Sequence, residues 1–177
     1  MHIGMIGIGL MGHGIAANIL KNDSYRLTFL THAGNQPTNQ LEAAGAMAAG
    51  SIKEVVEEAD IILICVTGAT QVEEILFSPD GVGTYAGKGQ IIIDCSTSMP
   101  EKTRLFAARL AEAGIPFVDA AMTRTPKEAA EGRLNLIVGA EKEIFDQLHP
   151  LLSQFAENIV HAGAVGSGQA LKLIHNY

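Results

Sequence analysis

The chain is 177 residues long, with 12 Lys and Arg against 19 Asp and Glu and a net charge of −7. That balance, with no basic stripe, excludes nucleic acid and an anionic membrane surface as main partners. The length suits one domain of ordinary size, and 47% hydrophobic residues with only 5% aromatics and 19 glycines suit closely packed α/β layers rather than disorder.

The opening stretch, Met1 to Leu20, is apolar, but no Lys or Arg precedes it and glycines interrupt it. It reads as neither a secretion signal nor a membrane span, and no apolar run reaches the roughly 20 residues a bilayer requires. The expected compartment is the cytoplasm. Short β-branched runs then alternate with helical periodicity, the pattern of βαβ units in a parallel sheet. Strands are expected at His2–Ile6, Arg26–Leu30, Ile61–Val66, Gln90–Asp94, Phe117–Asp119, Leu134–Val138 and Asn158–His161. Helices are expected at Met11–Leu20, Thr38–Ala44, Ile52–Glu58, Thr70–Phe77, Pro100–Ala113 and Lys142–Phe155. Pro100 suits a first helical turn and Gly114 the end of the same helix. Cys65 and Cys95 fall at strand ends and read as reduced core thiols, with a redox pair as the minority alternative.

Gly7-Ile8-Gly9-Leu10-Met11-Gly12 follows the first strand and opens the first helix. In such a loop the first glycine makes the tight turn, the second lets backbone approach a pyrophosphate, and the third lets helix pack on strand. The helix start offers free N–H groups and a positive dipole end. Glycine-rich loops are common, but this one sits at the first β–α junction of an alternating chain. A dinucleotide site is therefore expected, with all six loop residues in contact with NAD or NADP.

An acidic residue some 20 residues on would bind the ribose 2′-hydroxyl of NAD. The second strand instead ends Leu30-Thr31-His32-Ala33-Gly34-Asn35, with no acid. NADP is expected to be preferred, with Thr31, His32 and Asn35 as donors to the 2′-phosphate. No Arg is present to clamp it, and a polar loop indifferent to the phosphate stays open as the alternative. Val66 and Thr67, at the end of the third expected strand, join the candidate cofactor set, as do Ser96 and Thr97 after the fourth.

Gly163, Gly166 and Gly168 form a last glycine-rich turn before a short amphipathic helix, Gln169 to Tyr177. Gln169, Lys172 and Asn176 share one of its faces. On spacing alone a single Lys there is a solvated surface charge. Residues 1–162 are expected to form the cofactor domain, and 163–177 the glycine turn and the start of an interdomain helix. The five histidines other than His32 do not cluster, so no metal site is expected.

Four segments in order resemble the β-hydroxyacid dehydrogenase family, which includes 3-hydroxyisobutyrate dehydrogenase and glyoxylate/succinic semialdehyde reductases. They are Ile3–Gly12, Asp94-Cys95-Ser96-Thr97-Ser98-Met99-Pro100, Phe117–Ala121 with Gly132-x-Leu134, and the glycine–Lys172–Asn176 stretch. The resemblance spans the whole chain. It implies a doubly wound, mainly parallel Rossmann sheet and reversible NAD(P)-dependent interconversion of a small hydroxy acid with its aldehyde or keto acid. It makes Lys172 the general acid/base and Asn176 its orienting partner. Ser96, Thr123 and Arg124 would hold a carboxylate-bearing substrate, and the full-length form would be a homo-oligomer.

Two departures stand out. The family's Asp-Ala-Pro-Val-Ser-Gly-Gly is Asp119-Ala120-Ala121-Met122-Thr123-Arg124-Thr125 here, so two glycines are lost and substrate identity does not transfer. The family also continues into an all-helical domain, so a chain stopping at Tyr177 is expected to fold and hold the adenine half of the cofactor with little turnover. The rival readings are an imine reductase and a non-catalytic nucleotide-binding module.

Overall fold

The computed structural model describes residues 1–175. In chain order the elements are β1 (His2–Ile6), α1 (Leu10–Ile19), β2 (Arg26–Leu30), α2 (Asn39–Ala43), β3 (Met47–Ala49), α3 (Ile52–Glu57), β4 (Ile61–Ile64) and α4 (Ala69–Phe77). There follow α5 (Val82–Tyr85), β5 (Ile91–Asp94), α6 (Pro100–Ala111), β6 (Phe117–Thr123), α7 (Pro126–Ala130), β7 (Leu134–Gly139), α8 (Lys142–Leu152), β8 (Ala156–Gly163) and α9 (Ser167–His175).

One eight-stranded sheet runs β3-β2-β1-β4-β5-β6-β7-β8. Every neighbouring pair is parallel except β6 with β7. The strands β1, β4 and β5 are buried at every position, as befits a parallel sheet covered on both faces. Alternation along each strand divides them between two cores. Ile3, Met5, Ile61, Leu63, Ile91 and Ile93 face the layer containing α1 and α8, whereas Ile62, Ile64 and Ile92 face the layer of α3, α4 and α6. Each such fully buried side chain is worth about 1.5–3 kcal/mol, which makes these central strands the most strongly held part of the fold.

The expected doubly wound, mainly parallel sheet is therefore present. Elements not foreseen are β3, α5 and α7. The first is a three-residue edge strand, Met47-Ala48-Ala49, and the other two are single turns, all too short to show a period. Asn18 explains how α7 is held: its buried side-chain Nδ2 donates to the carbonyls of Gly14, Ala129 and Ala130. A Cβ at Gly14 would lie 2.6 Å from the backbone of Ala129, so α1 and α7 meet backbone to backbone.

The chain reverses direction across the sheet between β1 and β4, whose neighbouring strands are built in opposite directions from the centre. In an open α/β sheet the crevice outside the strand ends at such a point is where ligands bind. No helix among the described residues is long and apolar enough to cross a membrane.

Candidate active site

The glycine loop lies at that crevice. Ile6 pairs with Ile64, so Gly7 leaves β1 beside the residue that follows β4. Gly7 has a φ of +103°, and a Cβ there would sit 2.1 Å from the Cys65 carbonyl oxygen. A Cβ at Gly12 would sit 2.0 Å from the Gly7 carbonyl oxygen. At Gly9, by contrast, a Cβ would meet nothing within 4 Å. The open side of the loop is where a pyrophosphate would lie, and no side chain caps α1 there, so its first N–H groups stay available. The loop thus fits the phosphates of a dinucleotide. Ile8 is wholly buried and serves the core, while its carbonyl accepts from Gln36 N–H at 2.7 Å and ties down the loop after β2. Leu10 is 63% exposed and Met11 partly so.

In that second loop Thr31 and His32 are exposed. His32 Nδ1 accepts from Gly34 N–H at 3.0 Å, which leaves Nε2 as the outward-facing nitrogen. The Asn35 side chain is partly engaged, because Nδ2 donates one of its two hydrogens to the Leu30 carbonyl. A cavity of about 490 Å³ lies beside this loop, lined by Leu10, His13, Gln36, Pro37, Gln40 and Pro126. Neither Thr97 nor Lys172 borders it, so it flanks the loop and is separate from the residues expected to react.

On the other side of the crevice, Val66 lies against Gly7 and Thr67 is exposed. Val66 N–H donates to Ser96 Oγ at 3.0 Å, strapping the ends of β4 and β5 together. Ser96 is 1% exposed, which turns its hydroxyl inward and corrects its expected place on the substrate surface. Thr97 is exposed, and its Oγ1 accepts from Lys172 Nζ at 3.0 Å. Lys172 is half-buried on α9. Burial lowers its pKa below the ordinary lysine value, with Cys95 and Cys65 opposing. The two thiols are free and buried; burial pushes Cys65 up to about 12, and Asp94 adds to it, so both stay neutral and unreactive.

Thr123 and Arg124 lie at the end of β6. Thr123 is partly buried, and its Oγ1 accepts from Asn135 Nδ2, whose own Oδ1 accepts from Asn158 Nδ2 on β8. Arg124 has the left-handed φ of +81°, at one of the positions where the family has glycine. Its guanidinium donates to the Arg133 carbonyl and to Glu157. A substrate carboxylate would have to displace Glu157, so the expected carboxylate-binding role is corrected to that of a surface tie. Asn176 lies outside the described residues.

The residues that sequence reasoning missed are the polar ones beneath α9. Asp94 and Asp119 are register partners on β5 and β6, both wholly buried. Asp94 Oδ1 accepts from Ser96 N–H, while Oδ2 has no partner among the described residues. Burial pushes its carboxyl up to about 7 against the pull of Ser96, with Asp119 adding to the rise. Burial likewise raises Asp119, opposed by the N–H groups of Gly166 and Gln169. A carboxylate ending an apolar strand was the available signal.

A glycine loop at the switch point of a parallel sheet, with an uncapped helix start behind it, defines a dinucleotide-binding domain of the Rossmann class. Residues 2–163 match the family profile described as the NAD binding domain of 6-phosphogluconate dehydrogenase, and the chain belongs to that family. It is 34% identical over 174 residues to 2-(hydroxymethyl)glutarate dehydrogenase of Eubacterium barkeri, covering 98% of this chain and 57% of that one. It is 33% identical over 173 residues to 2-hydroxy-3-oxopropionate reductase of Escherichia coli K12, covering 98% and 58%. Among solved structures, 3-hydroxyisobutyrate dehydrogenase of Mycobacterium tuberculosis with L-serine superposes with a TM-score of 0.89 at 28% identity, over 99% of this chain and 58% of that one. The resemblance to β-hydroxyacid dehydrogenases is thus borne out. An imine reductase from Myxococcus stipitatus, at 23% identity and a TM-score of 0.85, shares the fold. The chain spans somewhat under three-fifths of the length of the relatives it matches.

Proposed function

We propose that this chain is the cofactor-binding part of an NAD(P)-dependent oxidoreductase that interconverts a small hydroxy acid and its aldehyde or keto acid. The observation that carries the reading is Lys172, half-buried on α9 with Nζ 3.0 Å from Thr97 Oγ1. Lys172 thereby meets the loop after β5, on the side of the crevice where a nicotinamide would lie. The relatives named above, two dehydrogenases and a reductase, take hydroxy acids or their oxo forms by name, which favours this substrate class over an imine.

A bound nicotinamide would donate or accept the hydride. The chain's own residues do the rest. Gly7 to Gly12 would hold the pyrophosphate on backbone N–H groups, Val66 and Thr67 would line the cofactor beside the loop, and Thr97 orients Lys172. Lys172 donates a proton to the carbonyl oxygen in reduction and removes it in oxidation; burial lowers its pKa, so it gives up its proton more readily than an exposed lysine. Thr123 offers a hydroxyl to the substrate carboxylate, and Asn176, four residues after Lys172 in the sequence, is the partner that the family resemblance assigns to it. Thr31 and His32 favour NADP, since no acid at the end of β2 repels a 2′-phosphate. On this reading residues 1–162 are the cofactor domain, and the glycine turn from Gly163 with α9 is the start of an interdomain segment. On α9, Leu171 and Ile174 are 40% and 70% exposed, an apolar face suited to further helical cover.

Nucleotide fluorescence titration tests the cofactor reading, with NADPH expected to bind more tightly than NADH; tighter NADH binding overturns the NADP assignment. In an active form of the protein, Lys172→Ala should keep cofactor affinity while turnover of 2-hydroxy-3-oxopropionate or glyoxylate falls about 100- to 10,000-fold. Near-normal turnover would make Lys172 a surface residue.

A further inference from the structure

We propose that Asp119 and Gln169 are positioning residues for Lys172, clamping the first turn of α9 to the loop after β5 so that the Lys172 ammonium is held against Thr97. The proposal deepens the catalytic reading of Lys172 and rests on it for its functional meaning.

The clamp has two jaws. At the first, both oxygens of the buried Asp119 carboxylate are engaged: Oδ1 accepts from Gly166 N–H at 2.7 Å and Oδ2 from Gln169 N–H at 2.8 Å. These are N–H groups that a helix start leaves without intrahelical partners, and a carboxylate is the acceptor they bind most strongly. At the second jaw, the Gln169 side chain, 1% exposed, donates Nε2 to the Ser96 carbonyl at 2.7 Å and accepts from Ser98 N–H at 3.1 Å. Ser96 and Ser98 are the two residues flanking Thr97. One amide therefore braces the backbone on both sides of the residue that Lys172 touches one helical turn later.

The surroundings leave the clamp little freedom. A Cβ at Gly139 would lie 2.3 Å from Asp119 Oδ1, and one at Gly168 would lie 2.8 Å from Oδ2 and 2.4 Å from the Ile137 carbonyl. Asp119 is boxed between two residues that have no side chain. Gly166, at φ +91°, turns the chain so that its N–H reaches the carboxylate. By itself, α9 is too short to be stable in water, and the Lys172 side chain has four rotatable methylenes. Without a fixed helix start the ammonium would have neither a set direction nor its present degree of burial.

Gln169→Met keeps the volume of the side chain and removes both of its hydrogen bonds, and Gln169→Ala removes volume as well. In each variant of the 177-residue chain, two quantities report on Lys172 without turnover. They are amide hydrogen exchange of residues 167–173 and the titration of Lys172 after 13C reductive methylation. We expect exchange there to quicken about tenfold or more, with β1, β4 and β5 unchanged, and Lys172 to titrate with the exposed lysines. Asp119→Asn, which removes the charge at nearly constant shape, should move both readouts in the same direction and decides the matter if the Gln169 variants do not fold. Exchange and titration as in the unmodified chain, in Gln169→Met or in Asp119→Asn, would overturn the proposal and leave these residues as packing. Turnover of Lys172→Ala judges the catalytic reading separately, so each can fail alone.

Discussion

The two ends of the crevice are built in contrasting ways. The glycine loop is made by residues within six positions of one another, Gly7 to Gly12, and its strand, turn and helix are consecutive in the chain. The support of α9 is made by Asp94, Ser96, Ser98, Asp119, Gly139, Gly166 and Gln169, which come together only after β5, β6 and β7 have paired. Both ends use the same physics, a helix start whose N–H groups need a negative partner. At α1 the partner is left to a cofactor, whereas at α9 it is the protein's own carboxylate. The contrast lies in what faces the helix start: open space beyond Gly9 at α1, and a buried carboxylate at α9.

The sharpest way to break that contrast is within the loop itself. Gly12→Ala places a Cβ 2.0 Å from the Gly7 carbonyl and should lower stability by about 3 kcal/mol or more, seen as a large drop in melting temperature. Gly9→Ala adds its methyl to open space and should leave the melting temperature nearly unchanged while weakening NADPH binding about tenfold or more. If both variants behaved alike, the division between a turn-forming and a ligand-facing glycine would be lost.

The supporting end should show its buried carboxylates in the dependence of stability on pH. Asp94 is raised to about 7 by burial, so between its unfolded value of about 3.9 and that pH the folded chain holds a proton that the unfolded chain has released. The stability this proton contributes is fully present below about pH 4 and is lost as pH rises through about 7, an effect of about 1–4 kcal/mol. Asp119, raised in the same sense, adds to the slope. Urea midpoints should therefore fall between pH 5 and pH 8 in the unmodified chain and fall less in Asp94→Asn. An identical slope in the two would assign the loss to other groups.

The smallest effect is expected at Arg124, which belongs to neither end. Its left-handed φ of +81° costs about 1 kcal/mol that glycine would not pay, while its exposed pair with Glu157 is worth about 0–1 kcal/mol. Arg124→Gly should change the melting temperature by little in either direction and leave the KM for acidic substrates unaltered. A raised KM would return Arg124 to the substrate site.

These differences track what a sequence displays. The run Gly7-x-Gly9-x-x-Gly12 was legible because each glycine answers a local demand, and Ile61–Ile64 and Ile91–Asp94 were legible because double-sided burial writes itself as an unbroken apolar run. Lys172 stood out only through resemblance, since one lysine on a helix face carries no signal of its own. Arg124 misled, because charge and position alone do not tell that Glu157, 33 residues on, already holds its guanidinium. Ser96 misled similarly, because its burial depends on where Val66 N–H comes to rest.

By itself, the sequence determined the alternation of elements, the layered α/β class and the cofactor loop, all consequences of short-range periodicity and backbone freedom. Tertiary structure alone decided the antiparallel placement of β7, the inward turn of Ser96 and the capture of Arg124. It also set Asp94, which ends β5, beside Asp119, the third residue of β6. Their meeting depends on strand order and register, and those are fixed by which faces bury together rather than by anything written near either residue.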